Sequence, residues 1–391
     1  MKIKNLLMAA LALVCVGVMT SCSDEEKTKL ILLNGKPATF GDAENIVWMD
    51  GTIFNGQFYN LAVSLQKGEE KNVEKYELYK STDGAAWTKV EYTVDGEAGL
   101  IGGEGARLVV NNGKLYVFSG LRTMGEDIFG GAVEASEGWM GLAPDSYFRV
   151  WESTDGVAFT SIKDLTLIQG ERDMTPFMDM YSNAYANILS FNGKLVAQGG
   201  YMISYGMLQP SRQLLVSSNG KDWESKVAVD AEGASVNLPQ LGTCFFELGG
   251  KLFVMGGFRS FVSSSMITND IYCTEDLTTW TNVTPEENNV PVMYQAKVIS
   301  DGKTAYLFGG EQIEEDGATH SFVAALYKST DGINWTKVET PEGFEGCRLA
   351  TGVAANGYAY LFGGFNTTTI GNYGNPGDTD TYSTKGWNVK F

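Results

Sequence analysis

The sequence predicts an all-β protein, a six-bladed β-propeller of four-stranded antiparallel blades. Three observations carry that expectation. The phrase YKSTDGAAWTKV at 79–90 returns as YKSTDGINWTKV at 327–338, and looser copies lie at 151–162, 216–227, 272–283 and 381–391. A second phrase, of the type GKLFVMGG, precedes each of the last five copies. The later units recur at near-equal intervals, marked by Trp223, Trp280, Trp335 and Trp387. Such an interval accommodates a four-stranded blade, and a blade of this kind buries both faces only when neighbours stack around an axis.

The chain of 391 residues opens with Lys2 and Lys4 and an uncharged apolar run over 6–18. That run is too short to cross a bilayer, so it reads as the core of a secretory signal, 1–21. MTSC at 19–22 resembles the lipobox of bacterial lipoproteins, which implies cleavage before Cys22 and lipidation of its thiol. SDEE at 23–26 resembles the export signal of surface lipoproteins; its other reading is the solvated start of a tether. The expected address is the outer membrane, anchored at Cys22 and facing outward. Residues 22–40 read as the lipidated N-terminus and linker, and 41–391 as the propeller. The apolar LILL at 30–33 can add a strand to the first sheet or close the ring on the last blade.

Each copy of the first phrase reads as a strand, a tight turn and a second strand carrying an aromatic: Trp87, Phe159, Trp223, Trp280, Trp335 and Trp387. In the turn, Asp83, Asp155 and Asp331 can accept bonds from backbone N–H groups, and a following glycine supplies positive φ. The second phrase ends at Gly120, Gly200, Gly257, Gly310 and Gly364; the first unit has only the degenerate NGQFYNLAV at 55–63. A further apolar strand lies upstream of each, such as ARLVV at 106–110.

The double glycine followed at a near-constant interval by an aromatic, as from Gly200 to Trp223 and from Gly310 to Trp335, resembles the kelch repeat. The STDGxxW hairpin resembles a shortened Asp-box of sialidase-type propellers. The first unit departs by lacking the diglycine, and the second by a much longer interval, from Gly120 to Phe159. The resemblance implies a diglycine near the hub, tryptophans packed between blades, with Trp387 in a fourth strand like the others, and function in the loops that follow the diglycines.

Those loops supply the candidate ligand-binding residues: Arg122, Tyr201, Arg259, Glu311 and Asn366. The longest insertion, 123–147, adds Trp139, an aromatic suited to sugar stacking or to anchoring the loop. The segment ERDMTPFMDMYS at 171–182 adds Arg172 with Asp173, Asp179 and Tyr181. The alternative for Arg122 and Arg259 is an ion pair with acids of neighbouring blades.

Composition narrows the chemistry. The formal net charge is −18, and −20 once 1–21 is removed with its two lysines and no acid, which argues against nucleic acid as a partner. Cys244, Cys273 and Cys347 have no metal-ligand spacing and read as buried free thiols. A single histidine, His320, cannot supply the copper site of a galactose-oxidase-like propeller. A sialidase requires an RIP-like start, for which ARL at 106–108 and CRL at 347–349 are poor substitutes. EEDG at 314–317 and DTD at 378–380 match no EF-hand and read as solvated loop. No cofactor or metal is expected. The leading expectation is a non-catalytic propeller that binds a glycan or glycoconjugate. The alternatives are a metal-free sugar mutarotase or epimerase, for which Glu311 or Asp179 would be the acid or base, and a scaffold for an outer-membrane protein partner.

Overall fold

The computed structural model describes residues 30–32, 46–67, 72–103, 105–121, 147–204, 207–259, 267–313, 320–364 and 386–391. From the axis outward, blade 1 consists of Ile46–Phe54, Gln57–Lys67, Asn72–Ser81 and Thr88–Lys89. Blade 2 is Arg107–Asn111, Lys114–Phe118, Val150–Ser153 and Ala158–Ser161. Blade 3 is Tyr181–Phe191, Lys194–Ser204, Leu214–Ser217 and Asp222–Ser225. Blade 4 is Cys244–Leu248, Lys251–Met255, Ile271–Thr274 and Thr281–Asn282. Blade 5 is Lys297–Ser300, Ala305–Phe308, Leu326–Ser329 and Thr336–Val338. Blade 6 is Thr351–Ala355, Tyr358–Phe362 and Gly386–Lys390, completed by Leu30–Leu32. Each innermost strand touches that of the next blade, and the sixth touches the first, so the ring is closed around a channel.

The repeated hairpin is built as its spelling requires. In blade 2, Ser153 Oγ accepts from Gly156 N at 2.9 Å, and Asp155 Oδ1 accepts from the backbone of Val157 and Ala158, both at 2.8 Å. The same network recurs around Ser81 and Asp83, Ser217 and Asn219, Thr274 and Asp276, and Ser329 and Asp331. Gly332 shows why glycine stands in the turn. Its φ is +76°, and an added Cβ would lie 2.7 Å from the Phe253 ring of blade 4.

The outer aromatics are interblade pegs. Trp87 meets Phe362 of blade 6 edge-on at 5.4 Å, Trp223 meets Phe148 of the segment leading into the third strand of blade 2 at 5.1 Å, and Trp335 meets Phe246 of blade 4 at 5.9 Å. Phe159 packs in one cluster with Tyr59 and Leu61 of blade 1, and Trp280 with Val196 and Leu214 of blade 3. Each therefore reaches the preceding blade and is almost fully buried, a contribution on the order of 2 to 3 kcal/mol apiece.

Blade 6 differs from the expectation. Trp387 lies on the third strand, opposite Leu361, and is only half-buried, rather than occupying a fourth strand like Trp335. The fourth strand comes from the other end of the chain: Leu30 pairs with Val389, Ile31 with Asn388 and Leu32 with Trp387. The apolar LIL thus belongs to the propeller although it lies in the stretch read as linker.

The segments leaving blades 1 and 2 do further work. Thr93–Val94 pairs in parallel with Ala158–Ser161, and Thr166–Gln169 pairs in parallel with Asp222–Ser225. Each leaves one blade and covers the outer edge of the next, removing an exposed row of backbone donors and acceptors.

Candidate functional site

One register position of the inner strands supplies the channel mouth. Asp50, Arg107, Asn187, Cys244, Lys297 and Thr351 pair across their blades with Leu61, Phe118, Gln198, Met255, Phe308 and Phe362. The pseudo-symmetry of the ring sets these six side-chain positions at the same level. Two residues upstream in blades 2 to 6 the backbone turns through positive φ, at Gly105, Tyr185, Gly242, Gln295 and Leu349. These turns are linked from blade to blade: Tyr185 N donates to Gly105 O at 2.8 Å, Gln295 N to Gly242 O at 2.7 Å, and Leu349 N to Gln295 O at 3.1 Å. Tyr185, Gln295 and Leu349 adopt a conformation that costs non-glycine residues energy, a form of strain concentrated at functional sites.

The mouth encloses a cavity of about 80 Å³, lined among others by Asp50, Arg107, Tyr185, Asn187, Tyr201 and Lys297. Lys297 Nζ of blade 5 lies 3.4 Å from Asp50 Oδ1 of blade 1, and Asp50 Oδ2 accepts from Leu108 N of blade 2 at 3.0 Å. Arg107 is held to blade 3 by its Nε, which donates to Ala186 O at 2.7 Å. Tyr185 and Tyr201 stand edge to face with centroids 6.2 Å apart. Asn187 Nδ2 donates to Thr243 Oγ1 at 2.5 Å and to Gln198 Oε1 at 3.2 Å. The wall thus presents two cations, a carboxylate, two phenols and an amide. Cys244 also lines it, but burial pushes its thiol up to about 12, with Lys297 acting in the opposite direction. It is a neutral thiol near pH 7 and not a ready nucleophile. Cys273 and Cys347 are free and buried as well, and burial raises both.

Of the candidates named from sequence, Tyr201 lies in this cavity. Glu311 is not among its lining residues: it is fully buried, and its carboxylate accepts from Arg348 Nη1 of blade 6 at 3.1 Å. Arg259 forms an ion pair with Asp270 of its own blade, rather than of a neighbour, and donates to Tyr272 Oη at 2.9 Å. Arg172 is carried to the outer rim: Arg172–Asp173 pairs with Thr166–Gln169 outside blade 3, and its guanidinium lies 6.0 Å over the Phe177 ring. Cys22, Arg122, Trp139 and Asn366 lie outside the described residues, as do 314–317 and 378–380. Among the described residues no three His, Cys, Asp or Glu side chains come together as a metal site.

The residues that sequence reasoning missed are Asp50, Arg107, Asn187 and Lys297. Their signal is positional: the steps from Arg107 to Gly120, Asn187 to Gly200, Lys297 to Gly310 and Asp50 to Val63 are all equal. The tripeptides ARL and CRL, poor as sialidase motifs, supply the channel arginine Arg107 and the partly buried Arg348.

The family model described as "DUF6242 beta propeller domain" matches residues 95–373. No curated protein matches the chain. Among solved structures, the one titled "Structure of YjhT" is 13% identical, covers 88% of this chain and 93% of its own, and superposes with a TM-score of 0.51. That likeness concerns the fold alone.

Proposed function

The chain belongs to the DUF6242 β-propeller family, and from this fold and its channel mouth we propose that it binds an acidic glycan, holding a sugar carboxylate without transforming it. One observation carries the reading. Arg107 and Lys297, from blades on different sides of the ring, meet at a single cavity with Tyr185, Tyr201 and Asn187, in a protein whose formal net charge is −18. Cations so placed attract and pair with a carboxylate, and phenols and amides bond hydroxyls. A cavity of about 80 Å³ has room for a few waters or a carboxylate, not a whole pyranose, so the ring of the sugar would stand at the mouth.

The kelch and Asp-box resemblances fit a propeller with its ligand site in the loops, and the resemblance of MTSC at 19–22 to a lipobox supports anchoring at the outer-membrane surface, where glycans are met. Detection of an acyl group on Cys22 by mass spectrometry tests the anchor.

A glycan array that includes uronic and other acidic sugars tests the ligand, with Arg107→Ala and Lys297→Ala as controls. Selective binding that the controls lose supports the reading. A blank array with folded protein overturns it and favours a scaffold for another outer-membrane protein. The close Asp50–Lys297 pair favours a second reading, a mutarotase or epimerase with these as base and acid. Faster anomer exchange in NMR spectra of a bound sugar, lost in Asp50→Asn, would establish it.

A further inference from the structure

A second, larger cavity opens beside the channel mouth, a groove of about 760 Å³ between blades 3 and 4. Its lining includes Arg212, Lys226 and Arg259 and no carboxylate, against the acidic balance of the chain. Lys226 and Arg259 pair with Glu224 and Asp270, which stand outside the lining. Arg212 is exposed and makes no ion pair among the described residues.

Two glutamines that line the groove carry buried polar atoms left without partners among the described residues. Gln240 is 4% exposed, and its Nε2 has no acceptor. Gln213 is 7% exposed; its Nε2 donates to Gly199 O at 2.8 Å, but its Oε1 has no donor. A buried polar atom left unpaired costs about 1–3 kcal/mol, so such atoms mark a place where a polar group is expected. A sugar hydroxyl both donates and accepts, and can serve either glutamine. Gln198 joins the two cavities. It lines the groove, while its Oε1 accepts from Asn187 and from Thr243 Oγ1, at 3.2 Å and 3.3 Å, both of which line the channel mouth.

We infer that the groove between blades 3 and 4 binds the successive residues of a linear acidic oligosaccharide whose end carboxylate sits in the channel mouth. This rests on the proposed function of the mouth and assigns the groove to the rest of the chain. Gln240 and Gln213 take the hydroxyls, Arg212 takes a further carboxylate, and the apolar Val236 and Leu238 beside them accept the faces of the rings. An acidic peptide would use the same cations, but the two unpartnered amides favour a ligand dense in hydroxyls.

The test is titration calorimetry on the full chain in detergent, with galacturonic acid and its linear hexamer as probes. The hexamer should bind about tenfold or more tighter than the monomer, a gain of about 1.4 kcal/mol. Arg212→Ala should remove most of that gain and Arg212→Glu all of it. Arg107→Ala should lose both probes. Equal affinities for monomer and hexamer would overturn the groove while leaving the mouth standing. Failure of both probes would overturn the two together. Tighter binding of a poly-glutamate peptide than of the hexamer would replace the oligosaccharide with a peptide and also sink the inference.

Discussion

Lys297 and Asp50 stand 3.4 Å apart although a whole blade, the sixth, separates the two that carry them. The pair spans the channel mouth, and Asp50 is almost fully enclosed while Lys297 is one-third exposed. Removing the cation leaves a buried carboxylate with Leu108 N as its remaining bond among the described residues. Lys297→Met should therefore cost about 1–2 kcal/mol, below the cost of breaking a fully buried pair, and Asp50→Asn in the same chain should recover part of it. Urea denaturation of the two single variants and the double variant checks this. Additive losses would show that the two groups do not interact.

The interblade pegs should rank by burial. Trp223→Ala should destabilise by about 3–5 kcal/mol, because it opens a cavity against Phe118 and Phe148. Trp387→Ala, half-buried on the third strand of blade 6, should cost clearly less. Equal midpoint shifts in urea would contradict the placement of Trp387.

Two glycines separate conformational strain from collision. Gly343 has φ +81° with nothing within 4 Å of an added Cβ, so Gly343→Ala should cost about 1 kcal/mol for the backbone alone. Gly332→Ala meets Phe253 at 2.7 Å as well and should cost more. Melting temperatures of the two variants give the comparison.

Acid should loosen the hairpins. The backbone N–H groups of Ala158 and Val157, with the Ser153 hydroxyl, hold the Asp155 carboxyl below its ordinary value. The backbone N–H of Thr278 heads the same effect at Asp276. Lowered folded-state values mean that the unfolded chain takes up protons first as pH falls. The stabilisation is thus complete above the ordinary carboxyl value of 3.8 and is lost as pH drops below it through the folded values. Asn219 already occupies this place in blade 3, accepting from Lys221 N and Asp222 N at 2.9 Å. Asp155→Asn should accordingly preserve stability at pH 7 and flatten the acid limb of the stability profile. A profile of unchanged slope would show that the turn carboxylate does not contribute.

Ring closure has its own test. Deleting 23–40 removes the outer strand of blade 6 and uncovers Gly386–Lys390, and it should lower the melting temperature by several degrees. An unchanged melting temperature would mean that Leu30–Leu32 contributes no closure energy.

Much of the fold was legible because the blade repeats its chemistry. The Ser and Asp of the hairpin and the aromatic that follows must bond and pack the same way in successive blades, so the same letters recur. The channel mouth repeats only a position. Asp50, Arg107, Asn187, Cys244, Lys297 and Thr351 share a register but no side-chain type, since all but Thr351 line a shared cavity rather than face an identical neighbour. Tyr201, which lines the cavity, was legible because it follows a diglycine directly. Arg172, read as a rim residue of the segment between blades 2 and 3, stands on a short strand that pairs with Thr166–Gln169 at the outer edge of blade 3, a pairing set by tertiary contacts that the sequence does not spell. Trp387 was assigned to the wrong strand because its spacing from Gly364 resembles that of a complete blade, while the missing strand lay near the opposite end of the chain.

That remote pairing fixes an order of events during synthesis. Residues 30–32 are translated before every other described strand of the disc, yet their partner, Gly386–Lys390, is translated after all the other described strands. Blade 6 is begun first and finished last. Until then the growing molecule is an open arc whose terminal blade faces expose the aromatic pockets that a neighbour will fill. Nascent arcs are consequently the species most prone to join one another, and a premature stop anywhere in the last blade leaves the arc unclosed.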